Sequence, residues 1–319
     1  MAAAAAGVDV VVGLLAPVAV WCFSFSRRPV RFGLALGMML LAVATSQPDA
    51  RGLLAADRTF FGVLRVRADA SGSQHVLMHG NTIHGEQRVD AAEQREPRTY
   101  YHRSGPIGQV IESSAARLPS ARVGVVGLGA GSLAAYAQPG QQWTFYEIDP
   151  AVVRIAQEPR LFTYLRDCGG ACDVVLGDAR LSLARSGTPT YVLLVLDAFS
   201  SDAIPVHLMT REALDLYLRH LDANGILAFH ISNRHLDLQP VLAALAAEKG
   251  LAALVRRDAR SAEASDRGQF PSEWLVMARS REVFGALAAD ARWEQPVAPP
   301  GTRTWADDYS DILAVLRQD

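Results

Sequence analysis

Apolar residues run almost unbroken from Val10 to Phe25 and again from Phe32 to Ser46, with Arg27, Arg28 and Arg31 between the two runs. The first run is long enough to span a bilayer if it starts near Ala2. The second has 15 residues, roughly 22 Å as a helix against a hydrocarbon core of roughly 30 Å, so it needs flanking residues or a thinned bilayer. The pattern predicts a hydrophobic membrane segment over residues 1–50, as one or two helices. The competing reading is a signal peptide that begins at the arginines and ends at Ala42-Val43-Ala44. The apolar stretch upstream of the arginines fits it less naturally. The expected location is an inner or cell membrane. The positive-inside rule puts the three arginines in the cytoplasm, and the rest of a doubly spanning chain then lies outside. The nucleoside chemistry argued below calls for a cytoplasmic catalytic part, and the sequence leaves that conflict open.

After Asp49 the pattern becomes that of a soluble protein. Loose alternation over 61–67, 74–78 and 82–89 is broken by Asp69-Ala-Ser-Gly72 and Gly80-Asn81, which are turn signals. They predict a small N-terminal β-hairpin unit within 51–95. From Arg122 buried strand runs alternate with helical stretches. Strands are expected at 123–126, 143–147, 174–176, 191–196 and 226–231, and helices at 132–137, 151–157, 210–221 and 238–248. A late strand is expected at 274–278 and a last helix at 312–317. Residues 256–267 read as a charged, Ala/Ser-rich loop. This alternation predicts an α/β, Rossmann-like, doubly wound and mostly parallel sheet over 96–319.

Composition then narrows the chemistry. The formal net charge is −2, with 31 basic and 33 acidic residues, which argues against a nucleic-acid partner. Lys249 is the only lysine. No lysine follows any glycine loop, so a phosphate-binding P-loop is excluded, and Lys249 in an Ala/Glu-rich stretch is a poor Schiff-base residue. Cys168 and Cys172 form one CxxxC pair, which falls short of a zinc site and leaves two loop thiols or a surface disulfide. No metal ligand set is expected. His230 and His235, five residues apart, read as loop or core histidines.

Gly127, Gly129 and Gly131 directly follow the first buried strand of the α/β region. Glycines there allow a tight turn and a close approach of ligand to backbone. Glu147 ends the next strand, 20 residues after Gly127, where an acid suits a ribose hydroxyl pair. Asp178 follows the third strand and Asp197 the fourth. Ligands of open α/β sheets bind at the carboxyl ends of strands, so the three acids converge on one crevice. Each alone serves equally well as a helix N-cap; three at successive strand ends predict a nucleoside site, with Asp178 suited to an adenine amino group.

The sequence resembles the spermidine synthase family, specifically its membrane-linked bacterial members, over about residues 57–315. The resemblance rests on Arg58-Thr-Phe-Phe-Gly62, His79-Gly-Asn-Thr-Ile-His-Gly-Glu-Gln87, Tyr100-Tyr-His102, the Gly127 loop, Tyr146-Glu-Ile-Asp149, Gly177-Asp-Ala179, Asp197-Ala-Phe-Ser-Ser-Asp202 and Trp305-Ala-Asp-Asp-Tyr309. It implies a class I methyltransferase-like fold and transfer of an aminopropyl group from decarboxylated S-adenosylmethionine to a polyamine such as putrescine. It implies that Gln87, Glu147 and Asp178, with the loop glycines and Ala179, hold the donor. Tyr101, Asp197 and Asp202 would then face the reacting groups, and a homodimer is one assembly to expect. Asp197 is the natural general base, because a protonated amine cannot attack until it loses a proton.

Two departures bear on the donor and the acceptor. Ala130 stands where the family carries an acid in the glycine loop, which weakens the case for the decarboxylated donor. The second acid after Asp197 is displaced, so Asp202 transfers less securely. His79, His84 and His102 read either as hydrogen-bonding residues of the hairpin or, for His84 and His102, as catalytic groups. Asp307, Asp308 and Tyr309 read either as lining of the amine pocket or as a cap of the last helix. The alternatives to aminopropyl transfer are a methyltransferase using intact S-adenosylmethionine and a non-catalytic nucleoside-binding module. An NAD dehydrogenase is more distant.

Overall fold

A computed structural model describes residues 18–45, 52–114, 116, 118–185, 187, 190–198, 205–259, 264 and 267–317. Two compact units divide the chain, Met1–Gly52 and Leu53–Asp319. In the first, a helical stretch at 18–23 is followed by turns and by helix α1 (Pro29–Thr45). Residues 1–17 of the expected first apolar helix lie outside the described residues.

The expected membrane segment and membrane location are corrected by this geometry. Among the described residues no helix is long and apolar enough to cross a membrane. The described part of the first run leaves helical geometry at Ser24. Helix α1 has 17 residues, about 25 Å against a core of about 30 Å.

The second unit carries two sheets. Strands β1 (Leu53–Thr59), β2 (Gly62–Ala68), β3 (Gln74–His79) and β4 (Thr82–Arg88) form a four-stranded antiparallel meander. The larger sheet contains β5 (Arg122–Val126), β6 (Gln142–Glu147), β7 (Ala171–Leu176), β8 (Tyr191–Leu196), β9 (Leu221–His230), β10 (Ala252–Asp258) and β11 (Ser272–Ala278). Its order is β10-β11-β9-β8-β5-β6-β7. Strands β5 to β9 pair in parallel, and β11 is antiparallel to both β9 and β10. This is the Rossmann-like, mostly parallel sheet that the alternation predicted. Helices α2 (Pro106–Ser113), α3 (Pro150–Gln157), α4 (Ala179–Arg185), α5 (Arg211–His220) and α6 (Gln239–Glu248) connect or flank the strands.

Several elements escaped the sequence pattern. Strand β1 runs four apolar residues and then three polar ones, with no alternation in its sequence, and α2 and α4 are only two turns long. The expected loop from Arg256 begins instead as the end of β10, where Arg256 is buried. Its guanidinium donates to Gln109 Oε1 at 2.6 Å and to Asp258 at 3.3 Å, so charge there signals a satisfied buried pair rather than solvent. Residues 260–263, 265 and 266 lie outside the described residues. The expected last helix is a single 3₁₀ turn, Leu313–Val315. Cys168 and Cys172 form a disulfide.

The order of the strands reverses at β5, whose neighbours are β6 on one side and β8 on the other. This is the crevice in which ligands of open α/β sheets bind. Thr59, at the end of β1, donates to Asp149 Oδ2 at 2.7 Å, while Asp149 Oδ1 accepts the Ala151 amide at 2.8 Å and caps α3. One buried carboxylate thus ties the meander to the larger sheet. Asp149→Ala is expected to lower stability by about 1–2 kcal/mol through lost cap and crosslink, read as a drop in Tm; an unchanged Tm would show that the two bonds are redundant.

Candidate functional site

Backbone hydrogen bonds carry the ladder one residue past the strand ends. The Gly127 amide donates to Tyr146 O, the Asp197 amide to Val126 O and the Gly177 amide to Glu147 O, each at 2.8 Å. The glycine loop, Glu147, Asp197 and the residue before Asp178 therefore sit side by side along one rim. Gly127 has φ +99°, and a Cβ there would lie 2.2 Å from the Asp197 carbonyl oxygen. Only glycine lets the end of β5 pass so close to β8. Gly129 and Gly131 also take positive φ, at +53° and +83°. A Cβ on Gly129 would meet the His84 carbonyl at 2.6 Å, so strand β4 lies directly against the loop.

Glu147 is 8% exposed. Its Oε2 accepts the Leu128 amide at 3.0 Å and its Oε1 the Asp149 amide at 2.9 Å. The carboxylate keeps acceptor capacity beyond these amides, which suits hydroxyl donors. Burial pushes the carboxyl above its usual range, and the backbone amides offset part of that rise. Asp178 caps α4, accepting the Leu181 amide at 2.8 Å, and its other oxygen meets His207 Nε2 at 3.1 Å. Ala179 is buried beneath it as the first residue of α4.

Gln87 lies on β4, two residues after the glycine that meets Ala130 of the loop. Its amide nitrogen donates to Gln94 O and Thr163 Oγ1, both at 2.9 Å, and its oxygen accepts the Thr163 amide at 2.8 Å. The side chain is spent in tethering the meander to the segment after α3. Asp202 lies outside the described residues.

Asp197 follows β8 with a side chain only 3% exposed. Its Oδ2 accepts the Tyr101 hydroxyl and its Oδ1 lies 2.7 Å from His230 Nδ1. Burial, then the Asp197 charge, holds Tyr101 far above the ordinary tyrosine range, so its hydroxyl stays a donor. Tyr101 is fixed from behind, because Tyr136 in the 3₁₀ turn after the glycine loop donates to its carbonyl at 2.5 Å. Two residues earlier Thr99 takes φ +59°, unusual for a β-branched residue. It is clamped by a bond from its amide to Gly268 O at 2.6 Å and one from the Phe270 amide to its carbonyl at 3.2 Å.

His230 is the member of this cluster that sequence reasoning set aside. The available signal was its place at the end of β9, the strand beside β8: Leu196 pairs with Phe229, which brings Asp197 level with His230. His79 bonds Phe61 O at 2.7 Å, and His102 lies between Ser104 Oγ at 3.1 Å and Asp258 Oδ2 at 3.3 Å. Both therefore have hydrogen-bonding roles. Asp307 is held from the α4 and α5 side rather than by the last turn. It accepts Arg180 through two bonds, at 2.7 and 2.5 Å, and Thr210 Oγ1 at 2.8 Å, and the guanidinium holds its carboxyl below the usual range.

Glu147→Ala is expected to weaken nucleoside binding about tenfold or more, measured by calorimetric titration with methylthioadenosine. Because burial raises the Glu147 carboxyl above its ordinary 4.5, wild-type affinity is expected to fall on acidification before an ordinary glutamate would protonate. The variant should lack that dependence. The same shift has the opposite sign for folding: the folded state holds this proton more tightly, so the contribution of Glu147 to stability declines as pH rises from 4.5 through its raised value. Equal affinity in variant and wild type would remove Glu147 from the binding site.

No family model matches the sequence. A polyamine aminopropyltransferase of Vibrio vulnificus (strain CMCP6) is 37% identical over 111 residues, 33% of this chain and 36% of that protein. The match thus spans about a third of the length of that relative. A probable spermidine synthase from Corynebacterium glutamicum ATCC 13032 superposes with a TM-score of 0.56 at 15% identity, over 82% of this chain and 98% of that one. The spermidine synthase from Thermotoga maritima gives 0.50 at 10% identity, over 72% and 73%. A spermidine synthase in complex with the transition state analogue AdoDATO gives 0.50 at 9% identity, over 72% and 74%. None of these supports the membrane-linked subgroup. In sequence over a third of its length and in fold over most of it, the chain is similar to spermidine synthases.

Proposed function

We propose that the chain is an aminopropyltransferase of the spermidine synthase type, moving an aminopropyl group from decarboxylated S-adenosylmethionine to a polyamine such as putrescine. The observation that carries the reading is the Asp197 carboxylate, buried at the end of β8 between two donors and beside a glycine loop. A pure binding module has no need of an acid there. The relatives named above support the reaction class. We take residues 51–95 as the unit that covers the donor and 96–319 as the catalytic part.

The residues suit the chemistry. An amine is mostly protonated near neutral pH, with a reference pKa near 10 as for lysine. Asp197 anchors the cation, takes its proton and stabilises the positive charge that develops on nitrogen. A carbon–nitrogen bond forms as the carbon–sulfur bond of the sulfonium breaks. The leaving group, methylthioadenosine, is a neutral thioether and needs no acid to depart. Catalysis then rests on positioning and one carboxylate. Glu147 would hold the ribose, and the loop glycines would allow the nucleoside close to the backbone. Tyr101 would orient Asp197 and wall the amine site. Gln87 would act indirectly, by holding the segment that carries Thr163.

One observation favours a second reading, a methyltransferase using intact S-adenosylmethionine. Ala130 is 1% exposed, and a Cβ on Gly85 would lie 2.5 Å from its Cβ. Strand β4 thus closes over the position where an acid would meet the amine end of a decarboxylated donor.

Mixing the full chain with decarboxylated S-adenosylmethionine and putrescine is expected to release methylthioadenosine and form spermidine. Asp197→Asn is expected to lower kcat by about 10²- to 10⁴-fold while leaving methylthioadenosine affinity nearly intact. Full turnover in that variant would remove Asp197 as the base. Preference for intact S-adenosylmethionine, with no aminopropyl product, would replace this reading by the methyltransferase.

A further inference from the structure

The buried end of β9 supports an inference that deepens the transfer reading and rests on it. We propose that His230 is a positioning residue for Asp197, fixing the base through a hydrogen bond that its Nδ1–H donates.

The hydrogen-bond inventory places a proton on Nδ1. Asp197 Oδ2 already accepts the Tyr101 hydroxyl. An ionised carboxylate can only accept, so the 2.7 Å contact between His230 Nδ1 and Asp197 Oδ1 is a donation from Nδ1–H. His230 Nε2 lies 2.7 Å from Ser232 Oγ. That oxygen accepts the Glu273 amide at 2.8 Å and keeps a hydroxyl proton and a second lone pair, so it holds Nε2 in place.

The ring is also held in plane. It stacks on Tyr100 at 4.5 Å and 29°, and on Trp274 at 4.7 Å and 19°. Trp274 is the β11 residue paired with His230 in the sheet, so the sandwich follows from strand register. The sequence Asp197–His230–Ser232 has the connectivity of a hydrolytic triad, but the serine oxygen is occupied by the Glu273 amide and acts as a fastener. Asp197 is thereby gripped from both sides by Tyr101 and His230. It keeps one lone pair on each oxygen for the amine.

The test compares two variants of the full chain. His230→Phe keeps a flat ring between Tyr100 and Trp274 and removes the donor. His230→Asn supplies a short amide donor at the Nδ1 position. For His230→Phe the expected kcat is roughly 10- to 100-fold below wild type, as for a lost bond to a charged group. Its methylthioadenosine affinity and donor KM should stay within about twofold. His230→Asn should recover most of the lost kcat. Wild-type kcat in the Phe variant overturns the proposal, and so does an Asn variant no better than Phe. If His230→Phe does not fold, ¹⁵N NMR of the wild-type imidazole decides: a proton on Nδ1 supports the assignment, and a proton on Nε2 alone overturns it. A wild-type chain that transfers no aminopropyl group would sink the transfer reading, and the nitrogen spectrum would then judge the His230–Asp197 arrangement by itself.

Discussion

A carboxylate removed from water is costly unless donors surround it, and the architecture around Asp197 follows from that constraint. Two donors, Tyr101 and His230, come from opposite sides. Neither is adjacent in sequence, so each needs its own scaffold. Tyr101 is held by Tyr136 and lies just after the clamped Thr99. His230 is held by the stacking of Tyr100 and Trp274. The backbone of Asp197 is fixed in turn by Val126 and crowds Gly127. The glycine loop, the meander connection and the antiparallel strand β11 are thus all coupled to one side chain.

The other strand-end acids follow a different logic. Asp149 and Asp178 each cap a helix with one oxygen and keep the second for another group, Thr59 or His207. Capping orients a carboxylate as surely as a dedicated site does. A capping aspartate can therefore sit on a binding rim at no structural loss, and the two readings of such a residue are not exclusive. Glu147 is the exception, because its oxygens take one amide from the glycine loop and one from Asp149 rather than capping a helix.

The meander contributes by contact more than by chemistry. His84 and Gly85 of β4 press on Gly129 and Ala130, and Gln87 secures Thr163. These residues carry the strongest motif on the hairpin, yet the structure gives Gln87 a tethering geometry. A motif records that residues occur together; it does not separate those that touch a ligand from those that hold the ones that do.

Much of the arrangement was legible without coordinates. Alternating buried runs and glycine turns specified the parallel sheet, because strand and helix periods are local properties of the chain. The Gly127 loop and the acids at 147, 178 and 197 marked the crevice, because strand ends are fixed once strands are. Strand β1, which does not alternate, and the short helices α2 and α4 carry too little periodicity to be read. The apolar N-terminal runs signalled a membrane by composition alone, whereas the helix observed over Pro29–Thr45 has 17 residues. His230 could not be recognised from its neighbours, since its partner Asp197 is 33 residues away. Sequence by itself determined the sheet, the glycine loop and which acids end strands, for these depend on local pattern. Only tertiary structure decided which of those acids is buried, which caps a helix, and which histidine grips the base, because strand register and burial arise from contacts between residues far apart in the chain.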